Sequence, residues 1–207
     1  VTEWYLGSRR SYPWKIVKDV DTSIRMRLMN KQAKNVICIS SYLENYYRKQ
    51  GCNTVIIPNV VDSFDPKWIK AEEYCPSRVR TFTYVGAPGK TVQKDRIDLI
   101  VAGFSAVKKK NLPFEFDIVG IEESTYVKLF EEQIEVIDYL GDQITFHGRK
   151  THREAIEHLK KSDFSIFVRM SNRHTNSGFP TKLSESFACG TPVIATSTSD
   201  ISEYLVD

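Results

Sequence analysis

The sequence predicts an α/β fold, a parallel sheet with helices on both faces preceded by part of a second α/β unit. Three observations carry that prediction. Short β-branched or aromatic runs alternate with longer stretches of helical period along most of the chain. The run "NVICIS" (35–40) is almost continuously apolar, as a strand covered on both faces should be. Gly51, Pro58 and the Gly/Pro loop after residue 86 stand where helices and strands must end.

The elements follow in order. Residues 1–17 are aromatic-rich and irregular, and read as a loop. Residues 18–33 have a helical pattern, with Ile24, Met26, Leu28 and Met29 as apolar positions. Strand 35–40 leads to a helix opened by Ser41 and closed by Gly51, then to strand 53–59. That is one β-α-β unit. Residues 62–77, polar and proline-bearing without a period, read as a linker. A second alternation follows: strand 81–86, helix 94–109 with Ile97, Ile100, Val101 and Phe104 on one face, strand 114–120, helix 123–140, strand 144–148, helix 151–161 and strand 163–169. A helix from Pro180, strand 192–196 and a helix near Ile201 complete the series. The boundaries expected are 1–61 for the first partial domain, 62–77 for the linker and 78–207 for a Rossmann-like domain. Ligands of such sheets sit beyond the carboxyl ends of the strands.

Composition excludes several classes. At 207 residues, 41% hydrophobic and 27% charged, the chain can bury a substantial core as one domain, or as one domain plus a piece of another. A net charge of +3 offers no dense basic face for nucleic acid. Cys38, Cys52, Cys75 and Cys189 form no CxxC, so reduced thiols and a cytoplasmic location are expected. There is no bilayer-length apolar run and no signal-peptide layout. The chain opens at Val1 and stops after "SEYLVD", so a fragment of a longer protein is expected.

The four strand-end loops of the second alternation carry Lys90, Lys94, Arg149, Lys150, Arg169, Arg173 and Lys182, which suggests an anionic ligand; against it, surface lysines usually point into solvent. The stretch "NSGFPTKLSESFACGTPVIAT" (176–196) is sharper. Pro180 suits the first helical turn, the amides of Thr181, Lys182 and Leu183 are free to face an anion, and Gly178 removes a blocking side chain. Glu185 lies just over a turn deeper on the side of Thr181, suiting a diphosphate at the helix mouth with a ribose diol on the carboxylate. The plainer alternative is a turn glycine and a Lys182–Glu185 pair at i,i+3, worth about 0.2–0.5 kcal/mol. "GKT" at 89–91 lacks the spacing of a phosphate-binding P-loop. His147, His152, His158 and His174 show no ligand spacing, so no metal is expected.

These segments resemble a known family. "NVICISSYLENYYRKQGCNTVIIPNVVD" is similar to the closing β-α-β of the N-terminal domain in retaining GT-B glycosyltransferases of family 4 (glycosyl transferases group 1). "FTYVGAPGKTVQKDRIDLIVAGF", "ITFHGRKTHREAIEHLKKSDFSIFVR" and "SGFPTKLSESFACGTPVIAT" resemble its nucleotide-sugar domain, and the likeness covers roughly residues 18 to 206. The resemblance implies that Glu185 is the second glutamate of a Glu-x7-Glu pattern and binds the donor ribose. It assigns Gly178, Phe179, Pro180 and Thr181 to the loop facing diphosphate and sugar, Gly86 to the strand-ending glycine, and Arg149 to the turn beside the base. Two positions depart. Ser177 stands where the first glutamate falls, and Ala87 where the diphosphate-binding arginine falls; the matching lysine is Lys94 or Lys90, with Lys182 or residues 169–173 supplying the missing charge.

What the resemblance implies is transfer of a sugar from a nucleoside diphosphate sugar to a hydroxyl acceptor with retained configuration. The acceptor would be a glycan or lipid-linked glycan, as in polysaccharide biosynthesis, and no metal or other cofactor is expected. The missing part of the N-terminal domain is an expected partner, and peripheral membrane attachment through it stays open; the fragment alone is expected to turn over little. The rival readings are a non-catalytic nucleotide- or sugar-binding module, favoured by Ser177 and Ala87, and a dinucleotide dehydrogenase, disfavoured because no GxGxxG follows a strand.

Overall fold

The computed structural model describes Trp4 and residues 14–69, 79–87 and 94–205. Two compact units form: Val1–Val60 with Met170–Thr181 and Ser197–Asp207, and Val61–Arg169 with Lys182–Thr196. The chain enters each unit more than once, whereas the boundaries expected from sequence run in chain order.

In the first unit, β1 (Asn35–Cys38) and β2 (Asn53–Ile56) pair in parallel, joined by α3 (Ser41–Arg48). The cap of α3 is Ser40 rather than Ser41: its hydroxyl accepts from Leu43 N at 3.4 Å. Ser41 instead delivers its N–H and hydroxyl to Asp200, at 2.7 and 2.5 Å, placing a carboxylate where the helix dipole favours it. Tyr47 of α3 is fully buried and accepts from Asn30 Nδ2 at 2.8 Å; burial pushes its phenol up to about 12. The first helix, α1 (Trp14–Ile24), starts ahead of Lys18 and runs on through a π turn at Arg25–Met29 into α2 (Asn30–Gln32). Met26 is buried, whereas Ile16, Val20, Ile24 and Leu28 are exposed along one stripe. A further short helix, α8 (Arg173–Ser177), was not foreseen from sequence. Asn172 caps it, accepting from His174 N and Thr175 N.

The second unit holds a five-stranded, wholly parallel sheet of β3 (Arg80–Val85), β4 (Phe114–Val119), β5 (Ile144–Phe146), β6 (Phe164–Phe167) and β7 (Val193–Ala195), in the order β5-β4-β3-β6-β7. Helices cover both faces, as the sequence predicts. Phe82 of β3 meets Phe104 of α4 (Ile97–Lys109), which also stacks on Phe116 and packs tilted against Phe114. The next residue, Thr83, points to the other face and bonds Ser162 at the end of α7 (His152–Lys161). Thr151 and Glu154 form a reciprocal capping box at the start of α7.

Two further expectations are corrected. The helix expected over 123–140 is broken into α5 (Glu123–Leu129), a 3-10 turn at Glu131–Gln133 and α6 (Ile134–Leu140). The chain leaves the helix at Phe130 (φ −138°, ψ 60°), which buries its ring against Tyr126, and Gln133 then donates to the Asp98 carbonyl at 3.1 Å. Within the expected linker, Pro66–Trp68 forms a 3-10 turn whose Trp68 packs on Ile156 and Leu159 of α7. Residues 70–77 of that stretch lie outside the described residues. Among the described residues Cys38, Cys52 and Cys189 form no disulfide. Among the described residues no helix is long and apolar enough to cross a membrane.

Candidate functional site

The sheet order reverses direction at β3. From β3 the chain goes outward to β4 and β5 on one side, then crosses to β6 and β7 on the other. Such a switch point leaves a crevice beyond the carboxyl ends of the two central strands. Gly86 follows β3 there, and Arg169 lies two residues beyond β6.

A buried charged cluster occupies this edge. Asp95, just before α4, accepts from Arg169 Nε at 2.7 Å, from the Tyr84 hydroxyl at 3.1 Å and from Lys182 Nζ. Lys182 Nζ also lies 4.2 Å from the centre of the Tyr84 ring. Asp95, Arg169 and Tyr84 are buried and Lys182 is nearly so. Two cations share one carboxylate, so the cluster carries a surplus positive charge in a low-dielectric setting. Burial pushes the Asp95 carboxyl up, but Lys182 and Arg169 prevail and hold it down at about 2. At Lys182, by contrast, burial dominates: against the attraction of Asp95 it lowers the ammonium to about 8. Burial, with the Asp95 charge beside it, raises the Tyr84 phenol well above its ordinary value.

Glycines make this edge close-packed. A Cβ on Gly86 would lie 2.5 Å from Lys182 Nζ, so the bare backbone is what lets the lysine reach Asp95. Gly120, after β4, has φ +117°, and a Cβ there would fall 2.3 Å from the Gly86 carbonyl oxygen. The ends of the strands are tied laterally, Gly86 N to Val119 O and Gly120 N to Gly148 O, both at 2.8 Å.

Glu185, one turn along α9 (Thr181–Ala188), accepts from His152 Nε2 at 3.1 Å and keeps 23% of its side chain exposed. The pairs formed are thus Lys182–Asp95 and Glu185–His152, not Lys182–Glu185. Arg149 and Lys150 are exposed on the turn after β5, Lys94 is half-buried beside Asp95 in sequence, and Lys90 lies outside the described residues.

The remaining sequence-derived residues belong to the first unit. Ser177, Gly178, Phe179 and Pro180 are buried there, and Thr181 is exposed. The Ser177 hydroxyl accepts from Trp4 N at 2.8 Å and donates to His174 O at 3.1 Å. Its carbonyl accepts from Ser40 Oγ at 2.9 Å. Phe179 packs edge-on to Tyr204, and its carbonyl accepts from Asn59 Nδ2 at 3.2 Å. Arg173 stacks over Trp4.

The structure therefore brings together Gly86, Arg169 and Lys182 of the residues anticipated from sequence, and adds Tyr84 and Asp95, which were not. The available signal was Asp95 itself, the one acid in a loop of cations.

The profile of the family described as glycosyl transferases group 1 matches residues 79–207. No curated protein matches the chain. Among solved structures, sucrose-phosphate synthase from Thermosynechococcus elongatus superposes with a TM-score of 0.70 at 19% identity, over 99% of this chain and 51% of that one. HepE from Anabaena in complex with UDP and glucose gives 0.61 at 15%, over 100% and 55%. A TarM variant from S. aureus, in complex with fondaparinux, α-GlcNAc-glycerol and UDP, gives 0.64 at 15%, over 100% and 38%. These are GT-B glycosyltransferases, and the present chain spans about half or less of their length. The likeness establishes the fold, and the match to the family profile over residues 79–207 establishes that the chain belongs to the glycosyl transferases group 1.

Proposed function

We propose that the second unit binds the nucleoside diphosphate of a sugar donor at the β3/β6 switch point, with Lys182 as the cation that meets the diphosphate. The observation that carries this reading is the Lys182–Asp95–Arg169 cluster, where two buried cations share one carboxylate beside Gly86. In sugar transfer, negative charge builds on the departing diphosphate, and a fixed, partly desolvated cation stabilises it without reorganising. Lys182 stands in for the arginine whose position Ala87 occupies. Asp95 keeps the ammonium protonated and aimed, and Arg169 keeps the cluster net positive. Glu185 bonds the ribose, His152 holding its carboxylate in place; Arg149 and Lys94 flank the nucleotide.

Retention of configuration, a glycan or lipid-linked acceptor, a cytoplasmic setting and chemistry without a metal belong to the same proposal. That HepE and TarM were crystallised with UDP makes UDP the first nucleotide to test. The exposed Ile16, Val20, Ile24 and Leu28 stripe supports an additional N-terminal portion as cover and as acceptor platform, without which turnover is low. Calorimetric titration of the chain with UDP, GDP and ADP tests the reading. Saturable heat with one nucleotide supports it, and silence with all of them at millimolar concentration overturns it.

A non-catalytic donor-binding module is the second reading. Ser177 favours it: where an acid would face the transferred sugar, a buried serine has its hydroxyl taken up by Trp4 and His174. Transfer or hydrolysis of donor by the longer protein decides between the two.

A further inference from the structure

A second cluster of the second unit lies outside the donor reading. Asp117 of β4, His147 directly after β5 and His158 of α7 converge, and one ligand atom from each lies within 4.8 Å of the other two. His147 Nε2 is 2.6 Å from Asp117 Oδ1, and the His147 and His158 rings are 4.3 Å apart, centre to centre. All three side chains are half-buried, with 25% of His147 and 32% of Asp117 exposed. The backbone fixes two of the positions. Asp117 stands in register with Thr83 and Thr145, and His147 N donates to Ile118 O at 2.9 Å.

We propose that Asp117, His147 and His158 form a binding site for a divalent transition-metal ion of the zinc class. Two imidazoles and one carboxylate are one of the three-ligand sets that hold Zn2+ with a fourth position left to water, and the partial exposure of the triad gives water that access. The ion would displace the proton now bridging His147 and Asp117. It would clip β4, the end of β5 and α7 together at the foot of the turn that carries Gly148, Arg149 and Lys150. The ligands come from a strand, a loop and a helix, which is why their spacing in the sequence shows no metal-binding rhythm. The inference stands apart from the donor reading and needs no nucleotide for its test.

The test uses the whole chain without a histidine tag, stripped with a chelator and titrated with Zn2+ against a chromogenic competitor. The expected result is one tight equivalent per chain, weakened roughly tenfold or more in His158→Gln and in Asp117→Asn. Binding is unchanged in His174→Gln. Zn2+ raises the melting temperature of the wild type and not of the His158→Gln variant, and Co2+ in the wild type shows the visible bands of a four-coordinate ion. Should His147→Gln fail to fold, His158→Gln, altered on the outer helix, still reads the site. Wild-type binding no tighter than that of the Asp117→Asn/His158→Gln double variant, or a Co2+ spectrum of the free aqua ion, overturns the proposal.

Discussion

Changing the pH across 8 tests the role of Lys182 without altering a single atom of the fold. Burial lowers its ammonium to about 8, so at pH 7 it is mostly charged and at pH 9 mostly neutral. If a diphosphate binds the charged form alone, UDP affinity falls about tenfold between pH 7 and pH 9, or about 1.4 kcal/mol. Calorimetry at pH 7, 8 and 9, in buffers of differing ionisation enthalpy, reads both the affinity and the proton taken up on binding above pH 8. Lys182→Met should flatten that profile and weaken binding at pH 7 by about 1.5–3 kcal/mol, the contribution of a hydrogen bond to a charged group. Loss of fold does not mimic the effect. A lysine lowered on folding leaves the unfolded chain with more protons between about 8 and 10.5, so stability from this group rises with pH there. Constant UDP affinity from pH 7 to 9, or a Lys182→Met protein binding like wild type, would refute the reasoning.

Other outcomes follow from the same geometry. Asp95 is depressed from 3.8 to about 2, so it contributes about 2 kcal/mol of stability above pH 4 that disappears as pH falls through 2. Asp95→Asn should lose at least that in urea unfolding at pH 7, with the gap to wild type closing in acid. Gly120→Ala should cost about 2 kcal/mol or more in the same assay, because its Cβ would meet the Gly86 carbonyl oxygen at 2.3 Å. Glu185→Gln should weaken UDP about tenfold while leaving inorganic pyrophosphate unaffected, since only the nucleotide brings a ribose. Thr151→Ala should remove about 1 kcal/mol by opening the capping box of α7, with nucleotide affinity unchanged.

Much of the fold was legible because its signals are local. β-branched runs and helical faces such as Ile97, Ile100, Val101 and Phe104 specify their own element and which side turns inward. Local rules failed where a distant partner overrode them. Phe130 leaves an otherwise helical stretch because its ring finds Tyr126, and Trp68 draws a proline-bearing segment onto α7. In the candidate site, Lys182 and Glu185 could be picked out from one contiguous segment. Asp95 could not be assigned, because it meets Lys182 from 87 residues away.

By itself the sequence determined the order of strands and helices, the all-parallel sheet and the stretch 176–196 in which a donor site should be sought. Tertiary structure decided which polar and charged groups pair. It placed Lys182 on Asp95 rather than on Glu185, gave Glu185 to His152, and gathered Asp117, His147 and His158 from three elements. The physical reason is range: backbone propensity acts over a few residues, whereas a buried charge takes whichever counter-charge the packed chain brings within hydrogen-bonding distance.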